Sequence, residues 1–345
     1  MNRKNKIKQP TPEMVELLKR TGSTNDKEAA LASSNLATAL TVPLRQGLLN
    51  GDIVNGIFSV EVIDPGATAE YPLDFYQQHN DGEYIAYTIP SEGAIPTRSV
   101  TGDIVTVQTY DVGNSIDWPI KYSRQARWNI VSRALEVLEA GFVRKMNTDG
   151  WRTIISAGAG RTDYLGGAPM VFDSAATAGQ FTKRLVSLMK TTMARLSGGN
   201  STTPGRGRLT DLYISLEALE DIRNWDVDDV DDFTRRDIFL ANDDPANGPL
   251  ASIYGVRLHP LFELGVGQEF QDYFDTLGLS MGASDEEIVV GLDLSKNDSF
   301  VMPVKEPLTI YNDDALLRRR RAGYFGWQEH GFAVLDPRRV LLGSL

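Results

Sequence analysis

Apolar and polar positions change period along this 345-residue chain, and each change marks a different element. The first period is helical and weak. TPEMVELLKR (11–20) predicts a short amphipathic helix, with Thr11 as its cap and Pro12 just inside. DKEAALASSNLATALT (26–41) predicts a second helix that ends before Pro43, because an interior proline removes a helix hydrogen bond and clashes with the preceding turn. Both pieces carry little apolar surface and need another element to lie on. Residues 1–10 read as disordered.

The period then shortens to two. In GIFSVEVID (56–64), Phe58, Val60 and Val62 alternate with Ser59 and Glu61. EYIAYTIP (83–90) and DIVTVQTYDV (103–112) repeat the pattern, with Val105 and Val107 on one face. The first and third strands are separated by about forty residues rich in Tyr, Pro, Gly and acid, long for a connection within a compact domain. This composition fits an extended hairpin or interaction loop better than a core.

A long helical signal follows. From Ser123 to Gly158, apolar residues at Val131, Ala134, Leu138, Phe142 and Met146 recur at steps of three or four, and Trp128, Leu135 and Ile154 widen the stripe. A continuous helix over about 33 residues is roughly 50 Å long, long enough to act as a strut. Gly141 and Gly150 are places where it could bend. Beyond it, helical and strand patterns alternate: a helix at about 175–196, a flexible loop at 197–207, the strand DLYISL (211–216), the helix LEALEDIRN, then strands in ASIYGVRLHP, EEIVVGLDL, SFVMPV and PLTIY. GYFGWQEHGFAVLDPRRVLL closes the pattern as strand, turn, and strand or short helix. There is no internal repeat.

Composition narrows the function classes. Hydrophobic residues are 41% and charged residues 23% of the chain, as in globular domains. No apolar run is long enough for a transmembrane helix, and the basic start MNRKNKIKQP leads into no apolar stretch of a secretory signal. Cysteine is absent, which removes disulfides, thiol catalysis and zinc–thiolate sites. The sequons at Asn200 and Asn297 read as coincidences.

Net charge is -11 but unevenly spread. Residues 1–45 hold eight basic and four acidic side chains, a net of +4. Residues 46–120 hold Arg98 alone against eleven carboxylates, a net of -10. Residues 315–345 hold six arginines against two acids, a net of +4. Two readings stand: solvated loops with accidental bias, or complementary surfaces on neighbouring copies, where opposite potentials set register.

The search for chemistry finds little. There is no phosphate-binding glycine loop, no HExxH and no GxSxG; AGAGR (157–161) reads as a helix end and turn. His79, His259 and His330 lack metal-ligand spacing. His259 reads as a strand terminus. Glu329 beside His330 has the form of an oriented general base, though a packed strand end looks the same. WDVDDVDDFTRRD (225–237) gathers Asp226, Asp228, Asp229, Asp231 and Asp232 but fails the EF-hand pattern, with Val230 and Asp231 where a ligand and a glycine belong. It reads as a solvated acidic loop or as one that pairs with arginines of another copy. Arg318–Arg321, read as strand, would point alternately to two faces, and their rigid forks suit carboxylates better than a run of phosphates.

The order of basic arm, long acidic β loop, strut helix, α/β domain and closing strand resembles the HK97-like major capsid proteins of tailed bacteriophages. GNSIDWPIKYSRQAR leading into the helix at about 124–157, IYGVRLHP, and GFAVLDPRRVLLGSL carry the resemblance. It implies an α+β fold with an N-terminal arm at 1–55, an extended β-hairpin loop (the E-loop) at 56–105, and a peripheral domain with its spine helix at 106–160. An α/β axial domain would follow at 161–310, and closing strands of the peripheral domain at 311–345. It implies a structural protein, not an enzyme, with no catalytic, metal or cofactor residues. It implies self-assembly as hexamers and pentamers into an icosahedral shell around double-stranded DNA. The partners implied are a portal, a separate scaffold protein and a decoration protein, and the location is the virion after assembly in the host cytoplasm. Some members lock the shell through an E-loop lysine; residues 46–120 contain none, so a non-covalent shell is expected. The expected contacts between subunits are Arg318, Arg319, Arg320, Arg321, Arg235, Arg236 and Arg98 with carboxylates such as Asp228, Asp229, Glu83 and Glu92. The competing readings are an encapsulin-like protein compartment, a hydrolase using Glu329 and His330 or the 226–232 cluster, and a DNA-binding module.

Overall fold

The computed structural model describes residues 12–21, 23, 25–51, 56–73, 103–125, 128–160, 170–177, 179–196, 207–225, 252–278, 287–296 and 298–345. The predicted strand at 83–90 and the segment 1–10 lie outside these. The chain folds as two units: Met1–Glu70, Thr106–Gly150 and Val301–Ala333 form the first; Tyr71–Val105, Trp151–Phe300 and Val334–Leu345 form the second.

In the first unit, helices α1 (Pro12–Thr21) and α2 (Asp26–Gly51) pack on each other. Leu18, Leu36 and Leu40 are buried there. This answers what such apolar-poor helices lie on: each other and, for α1, the short helix α3 (Ile120–Arg124). Contrary to the expected stop, α2 runs through Pro43. A proline there forfeits one backbone hydrogen bond, and a 26-residue helix has enough others to continue on either side.

A five-stranded sheet in order β1–β10–β11–β4 fills the rest of this unit, with the short strand β12 (Ala333–Val334) paired to β10 off the path. Its strands are β1 (Ser59–Val62), β10 (Phe300–Asn312), β11 (Arg321–His330) and β4 (Tyr110–Pro119). β10 merges the two strands expected from SFVMPV and PLTIY. Register shifts at Val304/Glu306 and Glu306/Thr309 absorb the break around Pro307, since a proline in a sheet is tolerated at a bulge. The strand expected at 103–112 instead divides into β3 (Asp103–Val107), paired with β2 (Ala69–Leu73), and the start of β4. Val112 and Trp118 of β4 and Tyr324, Gly326, Gln328 and His330 of β11, all at even positions, are buried.

Against that inner face lies helix α4 (Trp128–Ala159), 32 residues long. Val131, Leu135, Leu138, Phe142 and Met146, at steps of four, three, four and four, are all buried, as an amphipathic stripe requires. Gly141 sits so close to β4 that a Cβ there would be 2.5 Å from the Asn114 amide nitrogen. The amide donates to the Leu138 carbonyl at 3.3 Å.

The second unit is an α/β sandwich on a six-stranded sheet, order β5–β13–β9–β6–β8–β7. Its strands are β5 (Met170–Phe172), β6 (Asp211–Ile214), β7 (Ser252–Ile253), β8 (Val256–Pro260), β9 (Ile288–Leu292) and β13 (Val340–Ser344). Every residue of β6, β9 and β13 is buried, as in strands covered on both faces. On one face, helices α5 (Lys183–Leu196) and α6 (Leu216–Asn224) bury Leu185, Met189, Leu219 and Ile222 against Leu212, Ile214, Val289 and Leu341. Gly343 admits the Met189 sulfur, which a Cβ would meet at 2.8 Å. On the other face Trp151, at the C-terminal end of α4, packs edge-on against Tyr213 at 4.7 Å and near Phe270 of helix α7 (Glu269–Thr276). The expected closing segment 311–345 therefore divides: β11 belongs to the five-stranded sheet and β13 to the six-stranded one.

Candidate inter-subunit surfaces

Only Arg321 of the arginine run is in a strand. Asp314–Arg319 is a 3₁₀ turn carrying Arg318 and Arg319, so the expected strand alternation does not hold. The cause is local. Asp313 accepts from the Ala315 amide at 3.0 Å and starts the turn as an Asx motif. Leu316 then folds back onto β11 over Gly323, where a Cβ would come within 2.7 Å of Leu316 and 2.5 Å of the Ile116 carbonyl. Arg320 closes the corner at φ 55°, and its carbonyl accepts from the Ile120 amide at 3.1 Å. A non-glycine residue in this region is uncommon. Arg318, Arg319 and Arg320 are exposed, while Arg321 pairs with Asp117 on the neighbouring strand.

The other basic residues of the ending are not surface charges. Arg338 and Arg339 are 4% and 2% exposed. Asp336 takes the Arg338 guanidinium in two hydrogen bonds, 2.9 and 2.8 Å. Arg339 pairs with Asp298 at 2.8 Å and donates to the Lys296 carbonyl at 2.7 Å. DPRR is thus an internal clasp of the second unit, and the arginine corner carries the exposed positive charge of the ending. Sequence spacing held one clue: a DP step, read as a turn, brings arginines beside their own aspartate.

Within the acidic block, Glu61, Asp64 and Glu70 are exposed around β1 and the turn after it. Val60 and Val62 are exposed on the same strand, which is an edge strand among the described residues. Asp111 and Asp117 stand on the outer face of β4. Glu83, Glu92, Arg98, Asp228, Asp229, Arg235 and Arg236 lie outside the described residues, as does His79.

The Glu329–His330 general base does not form. Adjacent strand residues point to opposite faces. Glu329, outside, accepts from the Thr109 hydroxyl and lies 3.5 Å from Lys305. His330, inside, is wholly buried, and neither ring nitrogen has a hydrogen-bond partner. Burial pulls its pKa down to about 4, so the ring is neutral. It lies between the rings of Tyr110, at 5.2 Å, and Phe332, at 5.3 Å.

His259 is more than a strand terminus. It hydrogen-bonds Asp211 at 2.7 Å and stacks on Tyr213 at 4.8 Å. Arg257 reaches the other oxygen of Asp211 at 2.8 Å. Burial pushes the Asp211 carboxyl up, but hydrogen bonds from His259, Thr210 and Arg257 outweigh it and hold the pKa below the usual value. The network locks the parallel pair β6–β8, where Asp211 opposes Arg257 and Tyr213 opposes His259. Pairing across 46 residues leaves no spacing signal in the sequence. Among the described residues no group of His, Cys, Asp and Glu could hold a metal ion, and no helix is long and apolar enough to cross a membrane.

No family model matches the chain, and no curated protein matches it. Solved structures do. A chain from Microbacterium phage Oxtober96 superposes with a TM-score of 0.52 at 10% identity, covering 85% of this chain and 90% of that one. A chain of the cyanophage Pam1 capsid asymmetric unit gives 0.50 at 13% identity, covering 83% and 87%. The chain has the HK97-like fold found in phage capsids, spread over nearly its whole length.

Proposed function

We propose that the chain is the major capsid protein of a tailed bacteriophage, a structural protein that self-assembles as hexamers and pentamers into an icosahedral shell around double-stranded DNA. The observation that carries this is the likeness, over 83% of the chain, to a chain of the Pam1 capsid. In this reading residues 1–55 are the arm, 56–105 the E-loop and 161–310 the axial domain. A portal, a scaffold protein and a decoration protein are the partners of other kinds.

Charge supports the same reading. The exposed corner Arg318–Arg320 fits the exposed carboxylates Glu61, Asp64 and Glu70 of another copy. Single surface ion pairs contribute only about 0–1 kcal/mol, so repeated pairs select register while burial of apolar residues such as Val60 and Val62 supplies cohesion. Arg235, Arg236 and Arg98, with Asp228, Asp229, Glu83 and Glu92, are proposed as further contacts of this kind. The shell holds without covalent links from the loop, because residues 46–120 offer no lysine amine.

The test is sedimentation of particles from phage-infected cells, followed by nuclease treatment and extraction. Fast-sedimenting particles of this chain that protect double-stranded DNA are expected. Particles protecting only protein cargo would make the shell an encapsulin-like compartment instead, and a chain found only as a slow subunit would overturn both.

A further inference from the structure

The outer face of the five-stranded sheet carries a ladder of stacked aromatic rings. Tyr311 stacks on Trp327 at 4.5 Å and on Phe325 at 5.7 Å, and Phe325 lies 5.6 Å from Trp327. Register explains the ladder: Tyr311 opposes Phe325, and Thr309 opposes Trp327. Beyond Trp327 the partner on β4 is Gly113, whose lack of a side chain leaves that flank of the indole uncovered. Tyr311 is 40% and Trp327 37% exposed, unusual for large rings on a sheet already satisfied on its inner side.

One row further along the same face stand Glu306, Glu329 and Asp111, opposite one another on β10, β11 and β4. Glu306 accepts the Trp327 indole N–H at 3.1 Å, which ties the carboxylate row to the rings. Adjacent strands are about 4.8 Å apart, so Glu306 and Asp111, two strands apart, stand roughly 10 Å from each other beside the aromatic surface, while Glu329 between them is already met by Lys305 at 3.5 Å. A segment with alternate lysines matches this: ammonium groups meet the carboxylates while their methylene stems lie on the rings. In the N-terminal sequence RKNKIKQP, Lys4, Lys6 and Lys8 alternate in this way. In an extended chain they share one side at roughly 7 Å intervals.

We propose that the aromatic ladder Tyr311–Phe325–Trp327 with its carboxylate row is the docking surface for residues 1–10 of a second copy of this chain. The inference rests on the shell reading, since it needs copies brought side by side. Charge complementarity selects this occupant: 1–10 has four cations and no acid, in a chain that is acidic overall.

The chain has no cysteine, so crosslinking tests the contact cleanly. Chains carrying Lys6→Cys are mixed with chains carrying Thr309→Cys, assembled and oxidised; a disulfide between the two positions can only join different chains. A two-chain band is expected. Trp327→Ala in the acceptor should lower its yield about tenfold, as loss of roughly 1–2 kcal/mol of ring contact would. Lys4→Glu with Lys8→Glu in the donor should lower it likewise, and Glu306→Lys with Asp111→Lys in the acceptor should restore it. A control pairing Lys6→Cys with Val137→Cys, an exposed site on α4, should give little product. Particles are scored in the same samples by electron microscopy. Shells without the band, or a band no stronger than the control, overturn the docking surface alone. A band at normal yield without shells overturns the shell reading alone, and neither band nor shells overturns both.

Discussion

The Tyr110 hydroxyl donates to Asp149 at 2.7 Å, tying the first residue of β4 to helix α4. Lys145 meets the other oxygen of the same carboxylate at 2.8 Å, one helical turn earlier. Burial, and then the bond and charge of Asp149, push the Tyr110 phenol well above its ordinary pKa, so it remains a donor at any physiological pH. Tyr110→Phe keeps the ring and removes the bond. A loss of about 1–2 kcal/mol is expected for a bond to a charged acceptor, read as a lower midpoint in denaturant with an unchanged slope. An unchanged midpoint would mean that the strand and helix are held by apolar contact alone.

His330 makes the first unit acid-sensitive. Its folded pKa is about 4 against 6.5 for the free side chain. Between these values the unfolded chain binds the proton and the folded chain does not, so stability falls as pH falls from about 6.5 towards 4. The full effect is on the order of 3 kcal/mol. His330→Phe should remove that fraction of the acid dependence, seen as converging denaturation midpoints at pH 7 and pH 4.5. Equal pH dependence in both proteins would show that the ring is solvated or paired when charged.

Arginines in the last 31 residues divide into two kinds, and substitution separates them. Arg339→Gln removes a buried guanidinium that pairs with the half-exposed Asp298 and donates to the Lys296 carbonyl, and should lower stability by about 1–3 kcal/mol. Replacing Arg318, Arg319 and Arg320 together by Gln should leave the melting temperature within about 1–2 °C, because exposed charges add little to a folded chain, while shell yield falls. A folded triple variant that assembles normally, with unchanged salt sensitivity, would remove the arginine corner from the contact set.

Asp211→Asn removes the charge that holds Arg257 and His259 together across β6 and β8. A loss of about 2–4 kcal/mol is expected, read as a lower denaturation midpoint. His259→Phe, which keeps the stack on Tyr213, should be milder. A larger loss for His259→Phe than for Asp211→Asn would place the stability in the ring stack rather than in the ion pair.

What could be read from the chain beforehand was periodic and local. The stripe Val131–Met146 declared helix α4, and the apolar runs Leu212–Ile214 in β6 and Ile288–Leu292 in β9 declared strands, because each pattern needs only its own neighbours. The short strand β5 and helix α7 were missed, since three residues or a mixed EFQDYFDT stretch carry no clear period. The 3₁₀ corner at Arg318 depends on Leu316 finding a place over Gly323, and the burial of Arg338 and Arg339 depends on Asp336 and on a distant Asp298. Neither is periodic. The aromatic ladder was hidden for the same reason: Tyr311 and Trp327 meet only when the register across β10 and β11 is known.

The most direct measurement is negative-stain electron microscopy of the purified chain under assembly conditions, with its scaffold partner present and absent. Closed shells of uniform diameter, giving a single 38.1 kDa band without higher ladders on denaturing gels, are the predicted result. A monodisperse 38.1 kDa subunit under every condition would contradict the account at its centre.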